Sequence, residues 1–465
     1  MLSLEDVEEK FGERIPVTAN HNPDEESFGD LVERVITPDV MFKQHFKKGY
    51  NIMLTGEGGT GKSTLINQII EEHPGIDLTA STGVAALHIK GMTIHRWASL
   101  QIGPRPGESF ADAYKRLIVT KFGSTTKGYW RVKNCKRLVI DEVSMIPGIM
   151  FDFFNYYCQR VRDNGEPFGG IQVVLTGDFC QLPPVRTNDK QPYDWCFTTE
   201  AFKNAGLKIV HLTKVHRQAD PIFKGALSRM RLGEMSPADI KLLRDREKKF
   251  PSQKLVRLLT HNRDVDKWNR IMIDGVTGDE FTYEMEHHGS EHETAFLAKN
   301  VLAPETLILK EGVRVMLLVN NVELSKYFVN GAVGTVTKLS PDRVNVEIEF
   351  GGEVVDEVTV DKNKWSYDLK GKSSSYIKQL PMKAAYAISI HKAQGMTLES
   401  AFVDARAARE PGQAYVAFSR VRSLAGLNLK GMPKAIKFDT TAVAFYKGLE
   451  QHPSIEDQRK AASGS

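Results

Sequence analysis

At 465 residues the chain is long enough for two or three domains with cores of their own. Its hydrophobic fraction of 41% holds no apolar run near the ~20 residues of a membrane helix, which excludes a helical integral membrane protein. A net charge of +4 excludes a polycation, so any affinity for nucleic acid must come from local patches.

Residues 1–34 carry ten acidic and three basic side chains and no signal-peptide core, so 1–35 reads as an acidic leader and the protein is expected to stay where it is made. The expected compartment is the cytoplasm of a bacterium or phage-infected host cell, or the nucleus or mitochondrion if the chain is eukaryotic. Next comes a short apolar run, Asn51–Thr55 (NIMLT), fit for a buried strand. Gly56–Ser63 (GEGGTGKS) then fits the pattern G-x-x-x-x-G-K-[ST], and Ser63–Ile70 opens a helix that Pro74-Gly75 stops. Gly56, Gly58, Gly59, Thr60 and Gly61 supply a turn whose N–H groups point at one spot. The helix dipole favours negative charge there. Lys62 can reach the β- and γ-phosphates of ATP, Ser63 can bind Mg²⁺, and Thr64 follows in the first helical turn.

Lys115–Arg137 holds eight basic side chains and no acid, with Tyr114, Phe122, Tyr129 and Trp130 among or beside them. That pattern suits a single-stranded nucleic acid, and equally a solvated face with a few core aromatics. Arg137–Glu142 (RLVIDE) is an apolar strand ending in two acids: Asp141 for the Mg²⁺ shell, Glu142 for the attacking water. Ile171–Asp178 (IQVVLTGD) is a further strand, followed by Gln181 and the stiff Pro183-Pro184. Ligands of open parallel sheets sit at strand carboxyl ends, so three ends should converge on one nucleotide, with Gln181 near the γ-phosphate. Leu212–Gln218 (LTKVHRQ) and Ala414–Arg420 (AYVAFSR) each offer one arginine, Arg217 and Arg420. These are either transition-state cations or ordinary salt-bridge residues. His287, His288 and His292 read as a solvated loop rather than a metal site. Asn330-Gly331 signals a hairpin, and VNVEIEF, Gly351-Gly352 and VVDEVTV follow; strands so short and close suggest a small β-barrel. The four cysteines, Cys135, Cys158, Cys180 and Cys196, are scattered and should be reduced thiols.

Taken in order, GEGGTGKS, STGVAALHIKGMTIH (Ser81–His95), VIDEVSM, PFGGIQVVLTGDFCQLPPV, LTKVHRQ, AISIHKAQGMTLE (Ala387–Glu399) and AYVAFSR resemble superfamily one DNA helicases. More narrowly they are similar to the petite-integration-frequency (Pif) family, with RecD and phage Dda as relatives. Phe151–Gly170 matches that family's own signature. The resemblance implies an α/β fold of two RecA-like P-loop domains with ATP and Mg²⁺ between them, each domain carrying a small insertion. It divides the chain into a first domain over 36–205, with a wedge insertion at about 96–133, a second over 206–450, with a small β-barrel at about 321–380, and a tail, 451–465. It assigns Lys62, Glu142, Gln181, Arg217 and Arg420 to catalysis, Ser63 and Asp141 to the metal, and Thr82, His95, His391, Lys392 and Thr397 to DNA. Phe110 and Phe122 are wedge candidates. The adenine-reading glutamine of the family has no clear counterpart: its position falls near Asp39, and Gln44 is the nearest glutamine. The implied activity is ATP-driven 5′-to-3′ movement on single-stranded DNA with unwinding of a forked duplex. The protein is expected to be a monomer, with replication or single-strand-binding proteins as further partners. On the residues alone, a P-loop phosphotransferase and an ATP-switched binding protein stay open.

Overall fold

A computed structural model describes residues 14–15, 34–35, 37–100, 103–118, 126–186, 191–248, 255–319, 332–350, 353–366 and 375–451. Most of the leader and of the tail, the Asn330-Gly331 turn and Phe122 lie outside these. No helix among the described residues is long and apolar enough to cross a membrane.

The first half is built on helix α1 (Pro38–Lys47), strand β1 (Ile52–Gly56), helix α2 (Lys62–Glu72), strand β2 (Asp77–Ala80), helix α3 (Gly83–His88) and strand β3 (Met92–Thr93). Helices α4 (Phe110–Ile118) and α5 (Lys127–Asn134) come next, then β4 (Arg137–Asp141), α6 (Gly148–Arg162), β5 (Gln172–Gly177) and β6 (Lys208–Leu212). The six strands form one parallel sheet in the order β3-β2-β4-β5-β1-β6. Alternation along β1 splits its residues between two cores. Ile52 and Leu54 pack with Phe42, Leu65, Ile66 and Ile69 of α1 and α2, while Met53 joins Phe151, Phe154 and Cys158 of α6. With both faces covered, the central strands are continuous apolar runs.

Two expectations are changed in this half. Residue 205 is not where the first sheet ends, because β6 pairs with β1 from Ile52↔Lys208 to Gly56↔Leu212. The ring of Phe110 is docked on α6, 5.4 Å from Phe153 and 5.8 Å from Tyr156, so it is half-buried against the core and not a projecting tip. Of the basic-aromatic run, Tyr114 and Tyr129 also pack on that core, whereas Trp130 is exposed. The Phe151–Gly170 signature is a structural device: Phe168 has φ 52°, its N–H donates to Asn155 Oδ1 (2.7 Å), and Arg162 Nε donates to Gly169 O (2.6 Å).

The chain then forms helix α7 (Pro221–Leu232) and strand β7 (Val256–Leu259), the first strand of a second parallel sheet. An antiparallel block interrupts that sheet. Its largest part is five strands, β8 (Arg314–Leu317), β9 (Val333–Leu339), β10 (Arg343–Phe350), β11 (Glu353–Asp361) and β12 (Met382–Ala384), in the order β11-β10-β9-β8-β12. Smaller pairings begin at Phe281, opposite Leu309, so the block is wider than the expected 321–380. Strands β13 (Ala387–Ser389), β14 (Ala401–Asp404) and β15 (Leu427–Gly431) complete the second sheet in the parallel order β13-β7-β14-β15, with helix α8 (Gln413–Phe418) leading into Arg420. The final helix, α9 (Thr440–Gln451), returns to the first half, where Ala442, Val443 and Tyr446 lie in the core beneath the first sheet.

Candidate functional site

The carboxyl end of β1 turns sharply into α2. Gly59 and Gly61 have φ of 91° and 92°, left-handed values that a side chain would strain. A Cβ on Gly59 would also stand 2.5 Å from the Cβ of Arg217. Lys62 Nζ donates to Gly56 O (2.7 Å) and Glu57 O (2.9 Å), which curls the side chain back over the loop. Burial pushes its ammonium pKa down, against the pull of Asp178, Glu142 and Asp141.

Asp141 ends β4, two strands from β1. Glu142 follows with φ 51°, a left-handed conformation uncommon outside glycine and typical of functional turns. Its N–H donates to Asp141 Oδ1 at 2.9 Å. Burial raises the Asp141 carboxyl to about 6, and burial with the Asp141 charge raises Glu142 to about 7. Two half-buried carboxylates short of positive charge, with the Ser63 hydroxyl in the first turn of α2, fit a divalent cation.

Asp178, at the third strand end, is committed elsewhere. Arg231 of α7 grips it in a buried ion pair (Nη2–Oδ1 2.8 Å), and Gln181 Nε2 donates to Asp178 Oδ2 at 3.4 Å. Burial alone would raise the Asp178 carboxyl, but Arg231 overrides it and the pKa is lowered. Helix α7 is set by Asp220, whose side chain accepts from the N–H groups of Ile222 and Phe223, with Pro221 in the first turn and left-handed Gly233 at the end. Ser228 on the same helix donates to both carboxylate oxygens of Glu57 at 2.8 Å.

Arg217 and Arg420 meet at the loop. A Cβ on Gly58 would lie 3.4 Å from Arg420 Nη2, 3.5 Å from Arg217 Nη1 and 3.6 Å from the Tyr415 hydroxyl. The Gly58 N–H donates to that hydroxyl at 3.1 Å. Arg217 Nη1 donates to Ser419 O (3.2 Å), and Arg420 Nε donates to Val416 O (2.8 Å). Among the described residues neither arginine has a carboxylate within ion-pairing distance. Burial, then Arg217, lowers Arg420 to about 9, and burial lowers Arg217. A buried and a half-buried guanidinium facing an N–H-lined loop suit a polyanion. Gln181 sits at the seam: a Cβ on Gly412, just before α8, would lie 2.1 Å from Gln181 O.

The residues assigned to DNA lie at strand ends of both sheets. Thr82 caps α3 beyond β2, its Oγ1 accepting from the Ala85 N–H at 3.2 Å, and the neighbouring Ser81 N–H donates to Asp141 O at 3.1 Å. His95 is half-buried. His391 and Lys392, beyond β13, are exposed and Thr397 is half-buried. Lys383, not singled out in the sequence, stands near Lys392; burial first, then that neighbour, lowers it to about 7. Gln44 lies on α1, where the neighbouring Lys43 pairs with Glu72 in the last turn of α2 (2.7 Å). His288 stacks on Tyr376 at 4.5 Å, and no cluster of three or more His, Cys, Asp or Glu placed to hold a metal occurs among the described residues.

Several participants were missed. Tyr415 and Gln394 lie inside motifs whose other members drew attention. Arg231, Ser228 and Tyr446 sit on ordinary amphipathic helices with no local signal.

Fold and site together define an α/β P-loop protein in which Arg217, on the connection that leaves the first parallel sheet, and Arg420, from the half that carries the second, meet at the phosphate loop. A model of the PIF1-like helicase family matches residues 33–234. The human ATP-dependent DNA helicase PIF1 is 36% identical over 427 residues, covering 90% of this chain and 64% of the human protein. The Bdellovibrio bacteriovorus ATP-dependent DNA helicase Pif1 is 35% identical over 413 residues, 87% of this chain and 90% of that one. Bacteroides Pif1 in complex with ADP-AlF4 superposes with a TM-score of 0.76 at 26% identity, over 90% of this chain and 98% of that one. The Bacteroides protein has also been solved bound to single-stranded DNA, with a TM-score of 0.60 at 26% identity over 90% and 97% of the two chains. The chain belongs to the PIF1-like helicase family. It spans less than two thirds of the length of its human relative.

Proposed function

We propose that this chain is an ATP-dependent DNA helicase, built of two RecA-like domains, that moves 5′-to-3′ on single-stranded DNA and opens the duplex ahead of it. The observation that carries the reading is the meeting of three cations on one loop, Lys62 at the carbonyls of Gly56 and Glu57 and Arg217 and Arg420 at Gly58, with Glu142 nearby. Lys62 binds the β- and γ-phosphates. Ser63 and Asp141 would hold Mg²⁺, which supplies charge neutralisation of the phosphates. Glu142 orients and deprotonates the attacking water, and the arginines stabilise the charge that develops on the γ-phosphoryl. Because the loop and Arg420 lie on different lobes, with Arg217 on the connection between them, ATP favours closure and hydrolysis releases it. Thr82 and His95 on one lobe, and His391, Lys392 and Thr397 on the other, then grip the strand alternately. The antiparallel block acts as a barrel that holds DNA or the splitting element. The compartment is wherever the DNA is, and the active unit is a monomer.

Forked duplexes with a 5′ tail, a 3′ tail or an RNA tail, incubated with ATP, test this directly. Strand separation is expected on the 5′-tailed DNA alone. Separation only from a 3′ tail overturns the polarity, and ATP turnover indifferent to DNA overturns the class.

A further inference from the structure

Gln394 Nε2 donates to Glu142 Oε2 at 3.0 Å, across 252 positions of sequence and from one lobe to the other. The amide thus fixes one carboxylate oxygen of the group that must face the water, leaving the other free. Gln394 is also tied to the exposed surface. It lies in a tight turn in which its N–H donates to His391 O (3.3 Å), Ala393 N–H to Ser389 O (2.9 Å) and Met396 N–H to Ala393 O (3.0 Å). A turn so short cannot shift His391 and Lys392 without shifting Gln394. On the first lobe, the Ser81 N–H beside Thr82 holds Asp141 O at 3.1 Å. Both strand-facing segments therefore touch the Asp141–Glu142 pair, one through its backbone and one through a side chain. A backbone contact at the end of a sheet strand is stiff. The side-chain contact has the freedom to switch.

We infer that Gln394 is a positioning residue for Glu142, and that it reports to the base whether single-stranded DNA occupies the His391–Lys392 surface. The inference rests on the hydrolytic reading above. When DNA seats that turn, Gln394 holds the carboxylate toward the water; when the surface is empty, the carboxylate wanders and hydrolysis slows. The DNA requirement of turnover then lies in one hydrogen bond between the lobes.

The test compares the full chain with Gln394→Ala and the nearly isosteric Gln394→Leu, using an oligo(dT) strand as the DNA. Expected is a fall of about tenfold in DNA-stimulated kcat, with KM for ATP and Kd for oligo(dT) within about twofold of the parent. In a Glu142→Gln background the same changes should cost almost nothing further, because the amide acts through that carboxylate. Unchanged DNA stimulation in both variants overturns the inference. So does a loss carried by KM or Kd, or a loss that adds fully to Glu142→Gln. A parent chain without ATP hydrolysis sinks the functional reading instead, and is distinguished by the parent alone.

Discussion

The two parallel sheets face the same loop with opposite chemistry. The six-stranded sheet offers an ammonium, a hydroxyl and two carboxylates at its strand ends, all placed by backbone that is hydrogen-bonded on both sides. Opposite it stand two cations on a connection and a helix end: Arg217 follows β6 on the way out of that sheet, and Arg420 follows α8 in the half that holds the four-stranded sheet. On the first wall the charges partly cancel, since Lys62 lies among Asp141, Glu142 and Asp178. On the second they do not, since half-buried Arg217 stands beside buried Arg420 and makes it harder to charge. The first wall is built to bind at rest. The second bears uncompensated charge that only a polyanion relieves, so its contribution should appear in turnover more than in binding.

That contrast can be broken by mutation. Lys62→Ala should carry the largest effect, abolishing hydrolysis by about a thousandfold or more and weakening a fluorescent ATP analogue in direct titration. Wild-type ATPase in this variant removes the first wall from the account. Arg420→Ala should lose turnover by about a thousandfold while nucleotide binding drops far less; equal losses in both would erase the distinction between the walls. Glu142→Gln should bind ATP and oligo(dT) normally and turn over about a hundredfold more slowly. A drop under about tenfold argues against a general base. Tyr446→Phe is the smallest change. Its hydroxyl bonds Thr55 Oγ1 (2.7 Å) and accepts from the Phe179 N–H (3.0 Å). Losing it should cost about 1–2 kcal/mol in denaturant unfolding, with little change in kcat at 25 °C.

Legibility followed the range of the contacts. The strands of the first sheet could be read because each is a short run buried on both faces, and the loop because its glycines, lysine and hydroxyl are contiguous. Within the antiparallel block the hairpin of β10 and β11 was readable from its alternation. The pairing of Phe281 with Leu309 was not, because nothing local specifies a partner that distant. The same holds in the site. Arg231 meets Asp178 across 53 positions and Tyr446 meets Thr55 across 391, so neither is a motif. Phe110 shows the opposite error. An aromatic beside a basic run invites a functional role, yet the helix period turns its ring inward onto α6.

The path of the chain between the lobes has a mechanical meaning. It crosses once after β6, and crosses back before α9, whose Tyr446 lies against both Thr55 and the guanidinium of Arg231 (4.0 Å). A body fastened at two points swings readily about the line joining them and resists twisting about any other. In the proposed cycle each stroke would be steered along a single arc, and severing the return strap between 432 and 439 would leave both walls intact and no fixed direction in which to shut.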